Sequence, residues 1–432
     1  MVIFLFTSSA LGATEKLILI YDRGIGVLPL TLLNIYLIMV FVYFLCLQIF
    51  TRGGKVTESF MPGKRLTILL IFCIVYLLVG VATDVPIREV LSEYGIINII
   101  NMCLFVSILI WGIDLPEHLD ALRKIALFCI CYSAIYGLIR FIFFGGDPAN
   151  VYDNVEHLNV RITYQDIGYS ILFSFAFAYS ILTLLKGRFS NLKERTFLVA
   201  LSMLSIFNII FSYRRNAWSG FIILLLWLTF VLDLKKKLLL IIIASICLAV
   251  LGPYVVSKRF AEQSGPTSHP TLTSDFSSGG EVSVKKGRFA ELRNATMATL
   301  EEHPLLGFAP WGHYGSKFML GQFAFFTHSA IVHVLFKTGI IGLWLFCWPI
   351  FSLAFWTVKR RRLFPENNKY QILCEAAFGG VLFNIPDIVF GTPIVVYRHL
   401  QILGFFIALI YCSYLFRNSE TMEEVPSYER AG

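Results

Sequence analysis

The sequence predicts an all-α polytopic integral membrane protein, and three observations support that fold class. Hydrophobic residues make up 57% of the 432 residues and charged residues only 15%, with a mean hydropathy of +0.72. The apolar residues gather in runs of about 17 to 25, the length that a helix needs to cross a bilayer. Aromatic residues are abundant, with 40 Phe and 19 Tyr, as expected where side chains face lipid and its interfaces. This composition excludes a soluble globular domain with a polar surface.

Eleven or twelve membrane crossings are expected along the chain. Residues 1–20 are assigned as the first crossing, although Glu15 and Lys16 interrupt an otherwise apolar start. A cleaved signal peptide is the alternative, but no basic region precedes the apolar stretch. The clearer spans lie near residues 27–50, 66–84, 95–113, 124–144, 166–185, 197–212, 217–234, 238–256, 329–356, 371–386 and 400–416.

Short basic loops orient the chain, because Lys and Arg are enriched in the short cytoplasmic loops of membrane proteins. Span counting places four such loops on one face, which we assign to the cytoplasm: residues 52–65, 186–195, 235–237 and 359–362. The opposite face receives the segments 84–93, 145–165, 213–216, 257–328 and 387–399. Topology therefore accounts for most of the net charge of +8, and no nucleic-acid partner is expected.

The chain divides into four parts: an N-terminal transmembrane bundle (1–256), an outward loop (257–328), C-terminal transmembrane helices (329–416) and a short cytoplasmic tail (417–432). Within the loop, residues 263–284 are rich in Ser, Gly, Thr and Pro, which indicates a flexible surface excursion. From Arg288 to Pro304 the pattern becomes helical, and it predicts an amphipathic helix on the outward membrane face. Its apolar residues at helical spacing are Phe289, Leu292, Met297 and Leu300.

Cysteine usage and missing motifs exclude several classes of protein. All nine cysteines lie within predicted spans, so no external disulfide framework is expected. The chain has no CxxC pair, no HExxH motif and no Walker-type Gly-Lys-Ser/Thr run. A nucleotide-driven pump and a metalloenzyme are therefore not predicted, and we expect neither a cofactor nor a metal.

Arginines recur on the outward face, where the topology bias normally depletes them. Arg214 and Arg215 occupy a turn of about four residues between two spans, and Arg161 ends another outward loop. Arg288 opens the amphipathic helix, and Arg398 opens the last span, followed by His399. Several arginines at membrane level suit an anionic, lipid-anchored ligand, because a planar guanidinium holds phosphate oxygens bidentately. A diphosphate is the natural candidate.

Four of these five arginines also have a simpler interpretation. Arg214 and Arg215 would be unremarkable if the span count were wrong. Arg161 would serve equally well as an interfacial residue whose charged end reaches water. Arg288 would be an ordinary solvated charge on a loop helix. The hypothesis of a ligand site therefore rests on the group rather than on any one member.

His328 lies where the polar loop meets an apolar run that begins at Ser329 and is long enough to cross a bilayer. An enzyme whose substrate is tethered to a lipid would hold a base at that threshold. Asp166 and Asp387 are isolated carboxylates near the same face. Either would orient an arginine or bind a sugar.

Three linked segments now carry a family resemblance. They are RNAW at Arg215–Trp218, EHPLLGFAPWG at Glu302–Gly312, and THSAIVHVLFKTGIIGLWLF at Thr327–Phe346. In this order, and with a long loop between the first two, they resemble the bacterial O-antigen ligase and O-antigen polymerase family. The resemblance spans residues 211–346. It implies an all-helical membrane fold similar to that of the GT-C glycosyltransferases, in agreement with the predicted spans.

The resemblance also implies roles for particular residues. Arg215 and Arg288 would bind the donor diphosphate, with Arg161 as a further outward arginine and Arg214 beside them. His328 would be the catalytic histidine. A histidine of ordinary pKa near 6.5 suits removal of a proton from an acceptor hydroxyl. Asp166, Asp387 and Arg398 would support these groups or bind substrate.

This chain departs from the family pattern at several positions. Arg214 stands where Ser is usual, and Asn216 stands where Gly is usual. Ser329 follows His328 in place of the usual Asn, and Lys337 replaces the commoner Glu. These departures affect the expected acceptor more than the expected chemistry.

The implied activity is that of a metal-independent, inverting glycosyltransferase of the bacterial inner membrane, with its site facing the periplasm. The donor would be a glycan on undecaprenyl diphosphate, and the acceptor a lipid A core sugar or another lipid-linked glycan. The first acceptor defines a ligase, and the second defines a polymerase of O-antigen or exopolysaccharide. Two other possibilities remain: a transporter or flippase of lipid-linked sugars, and a protein-directed oligosaccharyltransferase. No convincing internal repeat of the transporter kind is present.

Overall fold

In the computed structural model every regular secondary-structure element of the described residues is a helix. The residues that it describes are 32–51, 60–92, 94–146, 163, 167–187, 189, 191–242, 245, 288–315, 324–365, 368–391, 394 and 397–419. Within them, the paired extended backbone amounts to one isolated bridge between Tyr314 and Ala324. The predicted all-α class is confirmed.

The helices are labelled in chain order. They are α1 (Leu32–Thr51), α2 (Met61–Ala82), α3 (Ile87–Val90), α4 (Ile97–Gly112), α5 (Pro116–Phe143), α6 (Ile167–Lys186), α7 (Leu192–Ile210), α8 (Arg215–Val231), α9 (Arg288–Glu302), α10 (Ala330–Arg360), α11 (Lys369–Phe383), α12 (Ile385–Phe390) and α13 (Tyr397–Leu415). A 3₁₀ turn, Arg361–Leu363, follows α10.

Six helices of the described chain are long and apolar enough to cross a membrane, which confirms a multi-pass architecture. They are α2, α5, α6, α10, α11 and α13, with shorter apolar helices within α1, α4 and α8. The predicted spans at 1–20 and over most of 238–256 lie outside the described residues. The total of eleven or twelve crossings therefore stays a prediction.

The centre of the bundle is formed by α6, α11 and α13, which pack on one another. About nine-tenths of the apolar window of α13 is buried (89%), against 33% for the peripheral α2. The outer helices leave large side chains exposed, such as Phe128 and Phe351, each 72% exposed. A bilayer is the solvent that suits such a surface, since every backbone polar group is satisfied inside its own helix.

One end of the bundle, here called the basic end, is held by ion pairs, most of them around the buried carboxylate of Glu375. The Glu375 carboxylate accepts from Lys186 Nζ at 2.9 Å and from Arg361 Nε at 2.6 Å. Lys369 Nζ lies 3.0 Å from Asp120 Oδ2. These contacts bring two of the predicted cytoplasmic segments, at the ends of α6 and α10, together with the starts of α5 and α11.

The opposite end, here called the site end, gathers the predicted outward segments. Tyr94 packs against Phe325 with ring centroids 4.6 Å apart. Asn98 Nδ2 donates to the Ile394 carbonyl at 2.8 Å. Because Tyr94 and Asn98 are one helical turn apart, the segment before α10 and the segment before α13 lie at the same end.

Candidate active site

His328 is held at the site end by Glu291, a residue of the first turn of α9. His328 Nδ1 lies 2.7 Å from Glu291 Oε2, and the His328 backbone N–H donates to Oε1 at 2.9 Å. A carboxylate accepts hydrogen bonds, so this contact assigns the proton to Nδ1 and leaves a lone pair on Nε2. No residue of the described chain bonds Nε2, and the His328 side chain is 39% exposed. The ring can therefore reach a substrate while its orientation stays fixed.

The helix that carries Glu291 is the one predicted from the sequence, but its packing face differs from the expected one. Small residues face inward, and Ala295 and Ala298 pack with Tyr314 against α10. Met297 and Leu300, which the pattern placed on the apolar side, are 41% and 44% exposed. Helical spacing identified the helix but not its buried side, because small residues allow the closest approach. Contact of the exposed side with a membrane stays a prediction.

The start of α10 is fixed by a break at Gly339, where φ is 65° and ψ is −167°. The backbone of the preceding segment fills this break: Ile340 N donates to the Pro304 carbonyl at 2.9 Å. A Cβ on Gly339 would lie 2.2 Å from the Leu305 oxygen, so the approach requires glycine. The motifs around residues 302–312 and 327–346 therefore pack against each other through their backbones. This packing of residues 304–308 against residues 336–340 is called the interlock below.

Gly307 serves the other side of the same interlock. Its φ is 67°, and a Cβ there would lie 2.5 Å from the Phe336 oxygen. Next to it, Phe308 N donates to that same oxygen at 2.8 Å. The nine residues of α10 before the break, with His328 just ahead of them, are held as a separate short helix.

Lys337 has a structural place in this interlock. Its side chain is buried, and Nζ donates to the Gly312 carbonyl at 2.8 Å. The ammonium also lies 4.7 Å from the centroid of the Phe336 ring, close enough for a cation–π interaction. Lys337, which replaces the commoner Glu, thus donates to the last carbonyl of the Glu302–Gly312 segment.

A second group of predicted residues lies where α7 turns into α8. The turn is as short as predicted, with Tyr213 buried at a positive φ of 52°. Arg214 is the N-cap of α8, and Arg215 is its first residue. Thr163 N donates to the Phe211 carbonyl at 3.0 Å, which brings the loop before α6 to this turn. Both arginines lie at the site end, opposite the basic end.

Asp387 joins this second group. Its side chain is buried in α12, and Oδ1 accepts from Asn216 Nδ2 at 3.2 Å. Asp387 Oδ2 lies 3.7 Å from His399 Nδ1. His399 Nε2 accepts from the Gly168 backbone N–H at 3.0 Å, and this bond assigns the His399 proton to Nδ1. The Arg398 guanidinium lies next to it, 4.4 Å from the Tyr169 ring.

The predicted residues thus form two groups at one end of the fold. Arg214, Arg215, Asp387 and Arg398 belong to the group around α8. Glu291 binds His328, and the backbone of Arg288 begins the same helix one turn earlier. The short helix α12 packs against both α8 and α10, which links the groups. Arg161 and Asp166 lie outside the described residues.

Two functional candidates were missed by sequence reasoning. Glu291 is 37 residues from His328 along the chain, and no spacing rule connects a loop carboxylate to a histidine at that distance. His399 was noticed only as a neighbour of Arg398, while its contact with Gly168 spans 231 residues. One weak signal was available for Glu291, which follows Arg288 by three residues and so shares its helix face.

No cluster of three or more His, Cys, Asp or Glu side chains that would hold a metal ion occurs in the described ranges. The predicted independence from metal stays a prediction.

The family model described as O-antigen ligase matches residues 200–347. The matched stretch includes Arg215, Glu291, His328 and the interlock at Gly339, whereas Asp387 and His399 lie beyond it. A comparison with curated proteins finds no match.

Proposed function

We propose, from the premise that this chain belongs to the O-antigen ligase and polymerase family, that it is an inverting glycosyltransferase with a lipid-linked donor. The donor is a glycan on undecaprenyl diphosphate, and the acceptor is a sugar hydroxyl at the periplasmic face of the bacterial inner membrane. The reaction type follows the family. The donor, the acceptor and the face are our proposal, and the face follows from the basic loops at the other end of the bundle.

The observation that carries the proposal is the contact between Glu291 and His328. A neutral histidine base needs a free lone pair on one ring nitrogen and a fixed proton on the other. In His328, Nε2 offers the lone pair and Glu291 holds the proton on Nδ1. Four other described histidines lie at this end. His333 Nε2 is bonded to the Tyr94 carbonyl and His399 Nε2 to Gly168. His303 and His313 are exposed, and neither has a carboxylate partner among the described residues to fix its ring. His328 is therefore the histidine suited to general-base catalysis.

The proposed step is a single displacement at the anomeric carbon. The acceptor oxygen forms a bond to that carbon while its proton passes to His328 Nε2. The bond from the anomeric carbon to the diphosphate oxygen breaks, and undecaprenyl diphosphate leaves with both electrons. Glu291 stabilises the imidazolium that forms, as a carboxylate does beside a catalytic histidine. The configuration at the anomeric carbon is inverted.

The leaving group needs charge stabilisation more than it needs an acid, since diphosphate is a stable anion once its developing charge is matched. We assign that role to Arg215 and Arg288, with Arg214 and Arg161 as further candidate ligands of the diphosphate. Preorganised donors at a site of developing charge lower the barrier most when they are already in place. Arg215 is also the first residue of α8, whose N-terminal N–H groups favour an anion.

The choice between ligase and polymerase depends on the acceptor, and we favour the ligase. The test uses a bacterial strain deleted for this gene and complemented with wild type or with His328→Ala. Surface glycan is scored on a gel, and the lipid-linked pool is extracted. A ligase leaves long undecaprenyl-linked polymer in the deletion and in the His328→Ala strain, because chains are made but not transferred. Single lipid-linked repeat units instead identify a polymerase.

His118→Ala is the matched control for this test. His118 also has Nδ1 2.8 Å from a carboxylate, that of Asp114, but it lies at the basic end. Complementation by His118→Ala at the wild-type level is expected. If His328→Ala also complements fully, the catalytic assignment fails and a transporter of lipid-linked sugars becomes the better explanation.

A further inference from the structure

We infer that Asp387 is a positioning residue that fixes the start of α8, and with it Arg215, through the side chain of Asn216. The inference rests on the proposed role of Arg215 as a ligand of the donor diphosphate. It concerns two features of this chain that the family signature does not share, namely Arg214 in place of Ser and Asn216 in place of Gly.

The first step is the missing cap of α8. Serine is among the best N-cap residues, because its hydroxyl accepts from a free N–H of the first turn. Arg214 occupies the N-cap here, and its side chain makes no capping hydrogen bond. The first turn of α8 therefore lacks the local bond that the signature serine would provide.

The second step is a tertiary bond that ties the first turn of α8 to another element. Asn216 lies in the first turn of α8, directly after Arg215, and Nδ2 donates to Asp387 Oδ1 at 3.2 Å. A glycine at position 216 has no side chain to make this bond. The first turn is thus tied to α12, an element 171 residues away, rather than capped from within.

The third step is that Asp387 is itself held firmly. It is 6% exposed, and Gly391 N donates to its carbonyl at 2.7 Å. A Cβ at Gly391 would lie 2.0 Å from Asp387 Oδ1, so glycine permits the carboxylate to lie against the end of α12. His399 Nδ1 lies 3.7 Å from Oδ2, a contact longer than a hydrogen bond. The carboxylate thus accepts a hydrogen bond from Asn216 on Oδ1 and faces the His399 ring on the Oδ2 side.

The neighbours of His399 reinforce this arrangement. Gly168 donates to His399 Nε2, and a Cβ at Gly168 would lie 2.8 Å from the His399 ring. The ring cannot turn without losing that bond. Asn216, Asp387, His399 and Gly168 thus form a continuous chain of contacts from α8 through α12 and α13 to α6.

Exchange of the two partners tests the inference. Asn216→Asp places two carboxylates where an amide and a carboxylate now meet, and Asp387→Asn removes the charge. Each single variant is expected to lower kcat/KM for the lipid-linked donor by about tenfold, within the range of coupling found for hydrogen-bonded neighbours. The double variant N216D/D387N restores a carboxylate and an amide in exchanged positions. We expect it to recover most of the wild-type kcat/KM.

The assay uses the full-length protein in nanodiscs, with an extracted undecaprenyl diphosphate-linked glycan as the donor. The KM for the acceptor is measured in parallel and is expected to stay unchanged, since Arg215 serves the donor. Asp84→Asn is the control, because Asp84 is exposed at the same end and the chemical change is the same. Asn216→Gly, which restores the signature residue without a charge, is expected to weaken donor use less than Asn216→Asp.

Three outcomes overturn the inference. The first is wild-type donor kinetics in Asn216→Asp and in Asn216→Gly. The second is a double variant no better than the worse single variant. The third is a loss of folded protein with normal kinetics in the folded fraction, which makes the pair merely structural. In each of these cases the proposed function stands as long as the wild-type protein transfers glycan. If the wild-type protein itself never releases undecaprenyl diphosphate, the proposed function is wrong.

Discussion

His328→Ala is expected to lower the rate of glycan transfer by about 10²- to 10⁴-fold, the usual contribution of a positioned general base. The reason is that the acceptor hydroxyl then loses its proton to water rather than to Nε2. Folding is expected to be intact, because the side chain is 39% exposed and its ring bonds only Glu291 among the described residues. The rate is measured as undecaprenyl diphosphate released by purified protein in nanodiscs.

Glu291→Gln separates orientation from proton removal in the same assay. The carboxylate accepts from both the ring and the backbone of His328, whereas an amide has only one accepting oxygen. One bond is lost, or the ring tautomer reverses and the proton moves to Nε2. We expect a loss of about 10²-fold or more, by analogy with the reversed tautomer of a serine-protease triad.

Glu302→Gln is the control for this variant, because Glu302 ends the same helix and is exposed. Its activity is expected to match the wild type. Wild-type turnover in Glu291→Gln would contradict the role of Glu291, while wild-type turnover in His328→Ala would remove the base from the mechanism.

Gly339→Ala is the change with the largest expected effect on stability. The backbone at Gly339 has φ 65° and ψ −167°, a region that is essentially restricted to glycine and costs about 1–3 kcal/mol for other residues. The added Cβ also meets the Leu305 oxygen at 2.2 Å, so the interlock must open. The unfolding midpoint in detergent is expected to fall, and transfer is expected to fall with it because His328 lies just before the displaced helix.

Gly145→Ala separates the cost of a positive φ from the cost of the steric clash. Gly145 has a similar φ of 76°, but nothing lies within 4 Å of the added Cβ. It therefore reports the backbone strain alone, and a smaller loss of stability is expected. Equal unfolding midpoints for the two variants would show that the interlock is not what holds the start of α10.

The membrane helices were predictable because apolar length is a property of a single segment. Hydropathy located α2, α5, α10 and α13 without knowledge of their partners. The turn of Arg214 and Arg215 was found in the same way, since it violates the charge bias of outward turns. The face of α9 was not predictable, because burial there follows small residues against a neighbour rather than hydrophobicity.

The site itself was predictable only in part. The resemblance supplied His328, but its orienting partner Glu291 is a contact made by the fold across a long loop. The segments Glu302–Gly312 and Thr327–Phe346 were recognised in the sequence. That they pack against each other at Gly307 and Gly339 became clear only from the coordinates. Asp387 was visible as an isolated carboxylate, and its bond to Asn216 was not. Contacts between distant segments leave no local pattern to read.

The measurement that tests the central claim most directly is cleavage of the donor by wild-type protein in proteoliposomes. The vesicles contain undecaprenyl diphosphate-linked glycan and receive either lipid A core or a lipid-linked repeat unit as acceptor. We predict acceptor-dependent release of undecaprenyl diphosphate with an equal amount of transferred glycan, and release by His328→Ala that is slower by about a hundredfold or more. Movement of intact donor across the membrane without release would contradict the account and indicate a transporter.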